Sequence, residues 1–193
     1  MSTSIVPPSK TLAIALGANL PSKYGPPTST LIEVRRILKE IVEEWLTSSL
    51  KENINSEEIP NQINWRWSPL FETKPFGGPP KQANYINAVV LIDGPIMEFI
   101  NPSEKKILNL LEKTLKLEKE LGRIRGEKSI QWGPRCIDID LLAWGELQVK
   151  NKKLILPHPR LIERSFVVTP LAAALKNSNT IPVQLQPRKG WIE

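Results

Sequence analysis

The order of apolar runs along this chain predicts an α+β fold, an antiparallel sheet with helices packed on its faces in three layers, α, β and α. Three observations carry it. Short apolar runs of strand length and longer segments of helical period follow one another as strand, helix, strand, strand, helix, strand, with further strand and helix at the end. Each of the two longer segments carries one apolar stripe, as a helix lying on a sheet requires. The 193 residues show no composition shift, and 40% hydrophobic with 24% charged residues is enough for one domain with a substantial core. Split βαβ units in this order build a ferredoxin-like sandwich.

Residues 1–9, with Pro7-Pro8, read as a loose arm. Thr11 to Leu16 is a buried strand that turns at Gly17-Ala18-Asn19, and 21–27 is loop. Thr30 and Glu33 form a capping-box pattern ahead of Leu31, Val34, Ile37, Leu38, Ile41 and Trp45 at helical spacing. The polar stretch 47–63 reads as a surface excursion, and Trp65 to Thr73 alternates as a strand. A Pro/Gly loop, 74–85, leads into the apolar strand Ile86 to Ile92. Such a loop holds a rigid shape without a core of its own, either as part of a site or as a stiff hairpin connection. Ser103 caps a second helix that reaches about Leu121, turning Ile107, Leu110, Leu111, Thr114 and Leu117 or Leu121 inward, and Gly122 ends it. The charged loop 123–131 delivers the chain to another strand around Ile137 to Leu142, and Leu147 to Leu156 reads as its hairpin partner. From Lys176 the chain reads as a weakly ordered tail.

No run approaches membrane-spanning length and no basic-plus-apolar leader opens the chain, so the expectation is a cytoplasmic protein with no membrane partner. The single Cys136 has no partner for an intrachain disulfide and reads as a small buried residue. A formal charge of +6 attracts polyanions, nucleic acid or nucleoside triphosphate alike. Lys and Arg gather at 119–135 and 150–164, which favours a local anionic site over an extended track. The chain has no G-x-x-x-x-G-K-[ST], no G-x-G-x-x-G and no cysteine pairs for zinc. A nucleotide would therefore be held by arginines and metal.

The most informative segment is Trp132 to Leu142, W-G-P-R-C-I-D-I-D-L-L. In a strand Asp138 and Asp140 project from one face while Ile137, Ile139 and Leu141 turn into a core. Carboxylates roughly 6–7 Å apart along a strand suit oxygen ligands of one or two magnesium ions on a polyphosphate. Arg135, behind Gly133-Pro134, adds a fixed guanidinium. The same D-x-D step also fits the solvated face of an edge strand, although two like charges on one face repel without a cation between them. His158, the only histidine, lies between prolines near Arg160 and Arg164, a setting for phosphate binding or for a purely structural ring. Phe166, taken alone, reads as core packing.

Four blocks together resemble one family. They are L-A-I-A-L-G-A-N-L at 12–20, E-T-K-P-F-G-G-P-P-K-Q-A-N-Y-I-N-A-V at 72–89, the 132–142 segment, and L-P-H-P-R-L-I-E-R-S-F-V-V-T-P-L at 156–171. In order and spacing they are similar to the 6-hydroxymethyl-7,8-dihydropterin pyrophosphokinases of folate synthesis. The resemblance implies transfer of pyrophosphate from ATP to the pterin hydroxymethyl group with release of AMP, by a monomer that needs no nucleic acid. It assigns Asp138 and Asp140 to two Mg2+ ions, with Arg123 and Arg135 in catalysis. Glu118, Arg125, Trp132, His158 and Arg164 fall to the ATP side. Thr73, Pro75 and Phe76 would frame the pterin, Asn87 hydrogen-bond it, and Tyr85 and Phe166 sandwich it. Gln131, Lys74 and Ala18 depart from the family pattern, 126–131 carries extra residues, and 47–63 is longer than the family's. Another D-x-D phosphoryl or nucleotidyl transferase would bind ATP without pterin selectivity. A nucleic-acid module would place aromatics and cations together on adjacent strands, whereas Tyr85 and Phe166 sit beside loops.

Overall fold

The computed structural model describes residues 9–50, 59–126 and 130–176, with the backbone of 187–188. The expected arm at 1–9 lies outside the described residues except for Ser9. So do 51–58 of the excursion, 127–129 of the charged loop, and the expected loose tail at 177–186 and 189–193.

Strand β1 (Leu12–Ala18) is buried along its whole length because it runs inside the sheet. Helix α1 (Pro27–Ser49) follows, capped at Pro26 and so starting four residues earlier than a cap at Thr30 would allow. Pro27 occupies the first turn, where a missing N–H has no helical acceptor to lose. Thr30 is buried instead, its hydroxyl against Ser22 Oγ at 2.8 Å and the Pro26 carbonyl at 3.2 Å, and Glu33 pairs with Arg36. The expected capping box is therefore not formed, and 47–49 of the expected excursion is helical.

The expected strand Trp65–Thr73 is two, β2 (Asn64–Trp67) and β3 (Leu70–Thr73), both antiparallel to β4 (Tyr85–Asp93). Pro69 has no N–H for the ladder and breaks the strand. Ser68 closes the gap, donating its N–H to the Val89 carbonyl at 2.9 Å and accepting the Val89 N–H on Oγ at 3.0 Å. One turn of helix, α2 (Pro95–Glu98), precedes α3 (Glu104–Glu120). Ser103 Oγ caps α3 by accepting from the Lys106 N–H, and Gly122, at φ +92°, leaves it. Its buried side chains are Ile107, Leu110, Thr114 and Leu117, as the spacing requires, and Glu118.

Strand β5 (Asp138–Trp144) pairs with β1 through a bulge opposite Ala13 and Ile14. The bulge reverses the alternation, so that Ile139, Leu141 and Trp144 all enter one core while Leu142 joins the other. The expected single strand Leu147–Leu156 folds back on itself as β6 (Val149–Lys150) and β7 (Ile155–Leu156). Asn151 makes the turn, its Oδ1 accepting from the N–H groups of Lys153 and Leu154. Helix α4 (Ser165–Lys176) follows, and β8 (Pro187–Arg188), within the expected loose tail, lies parallel to β3.

The sheet order is β5-β1-β4-β3-β8, with β2 continuing the edge of β4 beyond β3. This is the α+β ferredoxin-like arrangement. Helices α1 and α3 cover one face through Leu31, Val34, Leu38, Ile107 and Leu110, with Trp45 edge-on to Trp144 at 5.0 Å. On the opposite face α4 packs on Ala13, Ala15, Val89, Leu91 and Leu142. It covers only part of that face, and the uncovered end is the floor of a cavity.

Candidate active site

The cavity encloses about 260 Å³. Its floor follows from strand register. Gly17 pairs with Asn87 on one side and Asp138 on the other, while Ala15 pairs with Val89 and Asp140. Next to Asn87 and Tyr85 stand Phe71 and Thr73 of β3. Period-two alternation thus brings Asn87, Tyr85, Thr73, Asp138 and Asp140 to one face. Small residues at 15 and 17 keep the space above β1 open: a Cβ on Gly17 would lie 2.8 Å from Asn87 Oδ1.

At one end carboxylates meet arginines. Asp138 accepts from Arg135 Nη1, and Arg123 and Arg125 each lie 3.5 Å from its Oδ1. Asp140 forms one ion pair among the described residues, with Arg164 at 3.8 Å. Burial, then the neighbouring Asp138 charge, pushes the Asp140 carboxyl up to about 7. Its side chain still presents about a third of its surface to the cavity, where a cation could reach it. The Arg123 and Arg164 side chains are only 12% and 17% exposed, and the Nε of each is buried without an acceptor among the described residues. Buried donors without acceptors are costly unless a ligand supplies them. The acceptor that fits here is an anion. No group of three or more His, Cys, Asp or Glu side chains among the described residues could hold a metal. Two carboxylates fit Mg2+, which takes one or two and fills its shell with water and phosphate oxygens.

His158 lies on the same wall, its N–H on the Leu142 carbonyl at 2.7 Å. Burial and then the charges of Arg164 and Arg160 lower its pKa, and Nδ1 accepts the Arg160 N–H at 3.2 Å. The neutral ring therefore carries its proton on Nε2. At the other end Asn87 donates to Thr73 Oγ1 at 2.7 Å, which leaves its Oδ1 facing the cavity floor as an acceptor. Phe166 and Phe76 lie 6.5 Å apart, and the Tyr85 hydroxyl donates to the Gly133 carbonyl at 2.9 Å.

A family model described as 7,8-dihydro-6-hydroxymethylpterin-pyrophosphokinase matches residues 13–176. The chain belongs to this family. A Bacillus subtilis protein named 2-amino-4-hydroxy-6-hydroxymethyldihydropteridine pyrophosphokinase is 41% identical over 105 residues, 54% of this chain and 55% of its own length. A Synechocystis protein of the same name is 36% identical over 125 residues, 65% of this chain and 54% of its own. A mitochondrial folate synthesis bifunctional protein of Arabidopsis thaliana is 32% identical over 187 residues, 86% of this chain and 31% of its own. The chain spans about half the length of the first two relatives.

Of the residues that the pyrophosphokinase resemblance singles out, Thr73, Phe76, Tyr85, Asn87 and Phe166 line the cavity at one end. Arg123, Arg125, Trp132, Arg135, Asp138, Asp140, His158 and Arg164 line the other. Two stand off it. Pro75 borders a neighbouring space of about 200 Å³ between β3 and α4. Glu118 lies fully buried beneath the floor, with Oε1 on the Ile139 N–H at 2.7 Å and Oε2 on Arg125 Nε at 2.9 Å. It satisfies an edge N–H between the two aspartates and anchors Arg125. Burial raises its pKa, against the pull of Arg125. Sequence reasoning passed over Asn19 and Gln82, both of which bind the loops that form the cavity walls. Asn19 left a signal, a polar residue ending an apolar strand, but it reads equally as an ordinary turn.

Proposed function

We propose that this protein transfers the β,γ-pyrophosphoryl unit of ATP to the hydroxymethyl oxygen of 6-hydroxymethyl-7,8-dihydropterin, releasing AMP, in folate synthesis. The observation that carries the reading is the union, in one cavity, of an aspartate pair and four arginines at one end with an amide and aromatic rings at the other. Family membership and the printed activity of the relatives support the same reaction.

The flat pterin would lie against Phe166 and Tyr85, framed by Thr73, Pro75 and Phe76, with its donors toward Asn87 Oδ1. Asp138 and Asp140 would hold two Mg2+ ions, whose chemistry is to offset charge on the triphosphate. Arg123 and Arg164 have donors ready for phosphate oxygens, and Arg135 is held by Asp138 and by the Gly133 carbonyl at 3.2 Å. His158 Nε2 and the Trp132 side belong with the nucleotide. The pterin oxygen attacks the β-phosphorus as the bond to the α-phosphate oxygen breaks. The hydroxyl proton passes to solvent water and AMP departs with the bridging oxygen. The chain's share is alignment and fixed positive charge, because the transferred group needs no covalent intermediate.

Purified protein with ATP and Mg2+ should release AMP only when the pterin is added, and pterin-independent release would contradict the reading. Gly17→Ala should displace the Asn87 amide and raise the KM for pterin about fivefold, roughly the value of one hydrogen bond, with the KM for ATP little changed. Equal rises in both constants would show that the floor serves the whole cavity. Asp140 must lose its proton to bind metal, so Mg2+ affinity should weaken as pH falls through about 7. Calorimetric titration with Mg2+ in the presence of a non-hydrolysable ATP analogue would show this, and affinity constant from pH 6 to 8 would remove Asp140 from the metal.

A further inference from the structure

The two loops that wall the cavity are stitched together along a seam. Residues 82–85 end the Pro/Gly loop and 132–135 end the arginine loop. Gln82 Nε2 donates to the Trp132 carbonyl at 3.1 Å and to the Gly77 carbonyl at 3.2 Å. Asn19 Nδ2 donates to the Ala83 carbonyl at 3.0 Å while its Oδ1 accepts the Arg135 N–H at 2.8 Å. The Tyr85 hydroxyl completes the seam on Gly133. Backbone shape is adapted to it. Gly77 and Gly78 have φ of +74° and +77°, and Trp132 itself has φ +54°. A Cβ on Gly78 would lie 2.3 Å from the Trp132 carbonyl oxygen, and one on Gly77 2.6 Å from the Trp132 ring. Two glycines thus let the tryptophan segment rest directly on the Pro/Gly loop.

Within this seam Gln82 stands apart. It does not line the cavity, so it is no part of the substrate-binding wall, yet among the described residues it is the one side chain that grips a carbonyl from each loop. Its Oε1 is buried without a partner among the described residues. Turning the amide over would point that oxygen at two carbonyls, so the orientation is fixed by donation alone. A carboxylate of the same size could not do this.

We propose that Gln82 is a positioning residue that couples the two ends of the cavity. By holding Trp132 on the nucleotide side to Gly77 on the pterin side, it makes the ordering of the two loops one event. A ligand that orders one loop then spares the second ligand part of that ordering. This rests on the proposed function, since it takes ATP and pterin as the two ligands.

The test measures pterin affinity with and without Mg2+ and an ATP analogue whose α,β-bridging oxygen is a methylene. In the wild type the analogue should tighten pterin binding. In Gln82→Met, similar in length but without donors, that tightening should shrink about fivefold, the worth of one hydrogen bond, while the affinity for each ligand alone changes less than about twofold. Gln82→Glu, which keeps the size and loses the donors, should do the same and replaces the methionine variant if that fails to fold. Undiminished tightening in a folded variant would overturn the inference. So would an equal loss of affinity for each ligand alone, which marks a purely structural residue. A wild type that binds both ligands independently would overturn the coupling and leave the proposed function standing, whereas one that binds no pterin would overturn that function first.

Discussion

Asp140→Asn should lower turnover about a thousandfold, equivalent to about 4 kcal/mol of transition-state stabilisation, while the metal-free protein becomes more stable. Both effects have one origin. Asp140 lies beside Asp138 with the Arg164 guanidinium 3.8 Å away, and its carboxyl is pushed up to about 7 because burial and the second carboxylate oppose its charge. An acid whose folded pKa lies above its unfolded value destabilises the fold increasingly as pH rises from that unfolded value, near 4, to about 7. Asparagine removes this cost. The gain in thermal midpoint should therefore be larger at pH 8 than at pH 5, measured without divalent ions. With Mg2+ and ATP present the order should reverse, since the wild-type pair then has its counter-charge. Near-normal turnover in the variant, or a midpoint gain independent of pH, would break the link between the strained carboxylate and a metal.

The second large effect is expected at Arg123. Its side chain is almost enclosed, it lies 3.5 Å from Asp138, and its Nε has no acceptor among the described residues. Such a donor is worth most where new negative charge develops, so Arg123→Ala should cost about two to three powers of ten in kcat. The dissociation constant for an ATP analogue should change only a few-fold, because Arg125, Arg135 and Arg164 remain. Pre-steady-state mixing separates the two quantities. If affinity fell in step with rate, Arg123 would be a ground-state binder. Arg125 offers an internal contrast. It is tied to Glu118 and about half exposed, so Arg125→Ala should loosen the loop more than it slows the chemistry.

Much of this site was legible because strands and helices have periods. Asp138 and Asp140 on one face, with Ile139 and Leu141 on the other, follow from alternation alone, and the structure places them so at the sheet edge. The stripe of α3 and its Ser103 cap were likewise readable. Some misreadings ignored available signals. Pro69 marked the break between β2 and β3, and Pro26-Pro27 marked the true start of α1. Others had no local signal. The Gln82 and Asn19 bonds span sequence separations of 50 and 116 residues, and no spacing rule connects such partners. The burial of Glu118 was ambiguous, because a carboxylate on an otherwise apolar stripe is as readily the edge of the solvated face. Family resemblance pointed at Glu118; only the fold shows that it holds Arg125 and a strand edge.

The central claim is that a pyrophosphoryl unit moves whole to the pterin. Its most direct test is chromatographic separation and counting of the products formed from ATP carrying radioactive phosphorus at the β position, with Mg2+ and 6-hydroxymethyl-7,8-dihydropterin. The account predicts AMP without label and a pterin diphosphate ester that carries all of it. ADP together with a pterin monophosphate, or labelled phosphorus released as free pyrophosphate with the pterin unchanged, would contradict it.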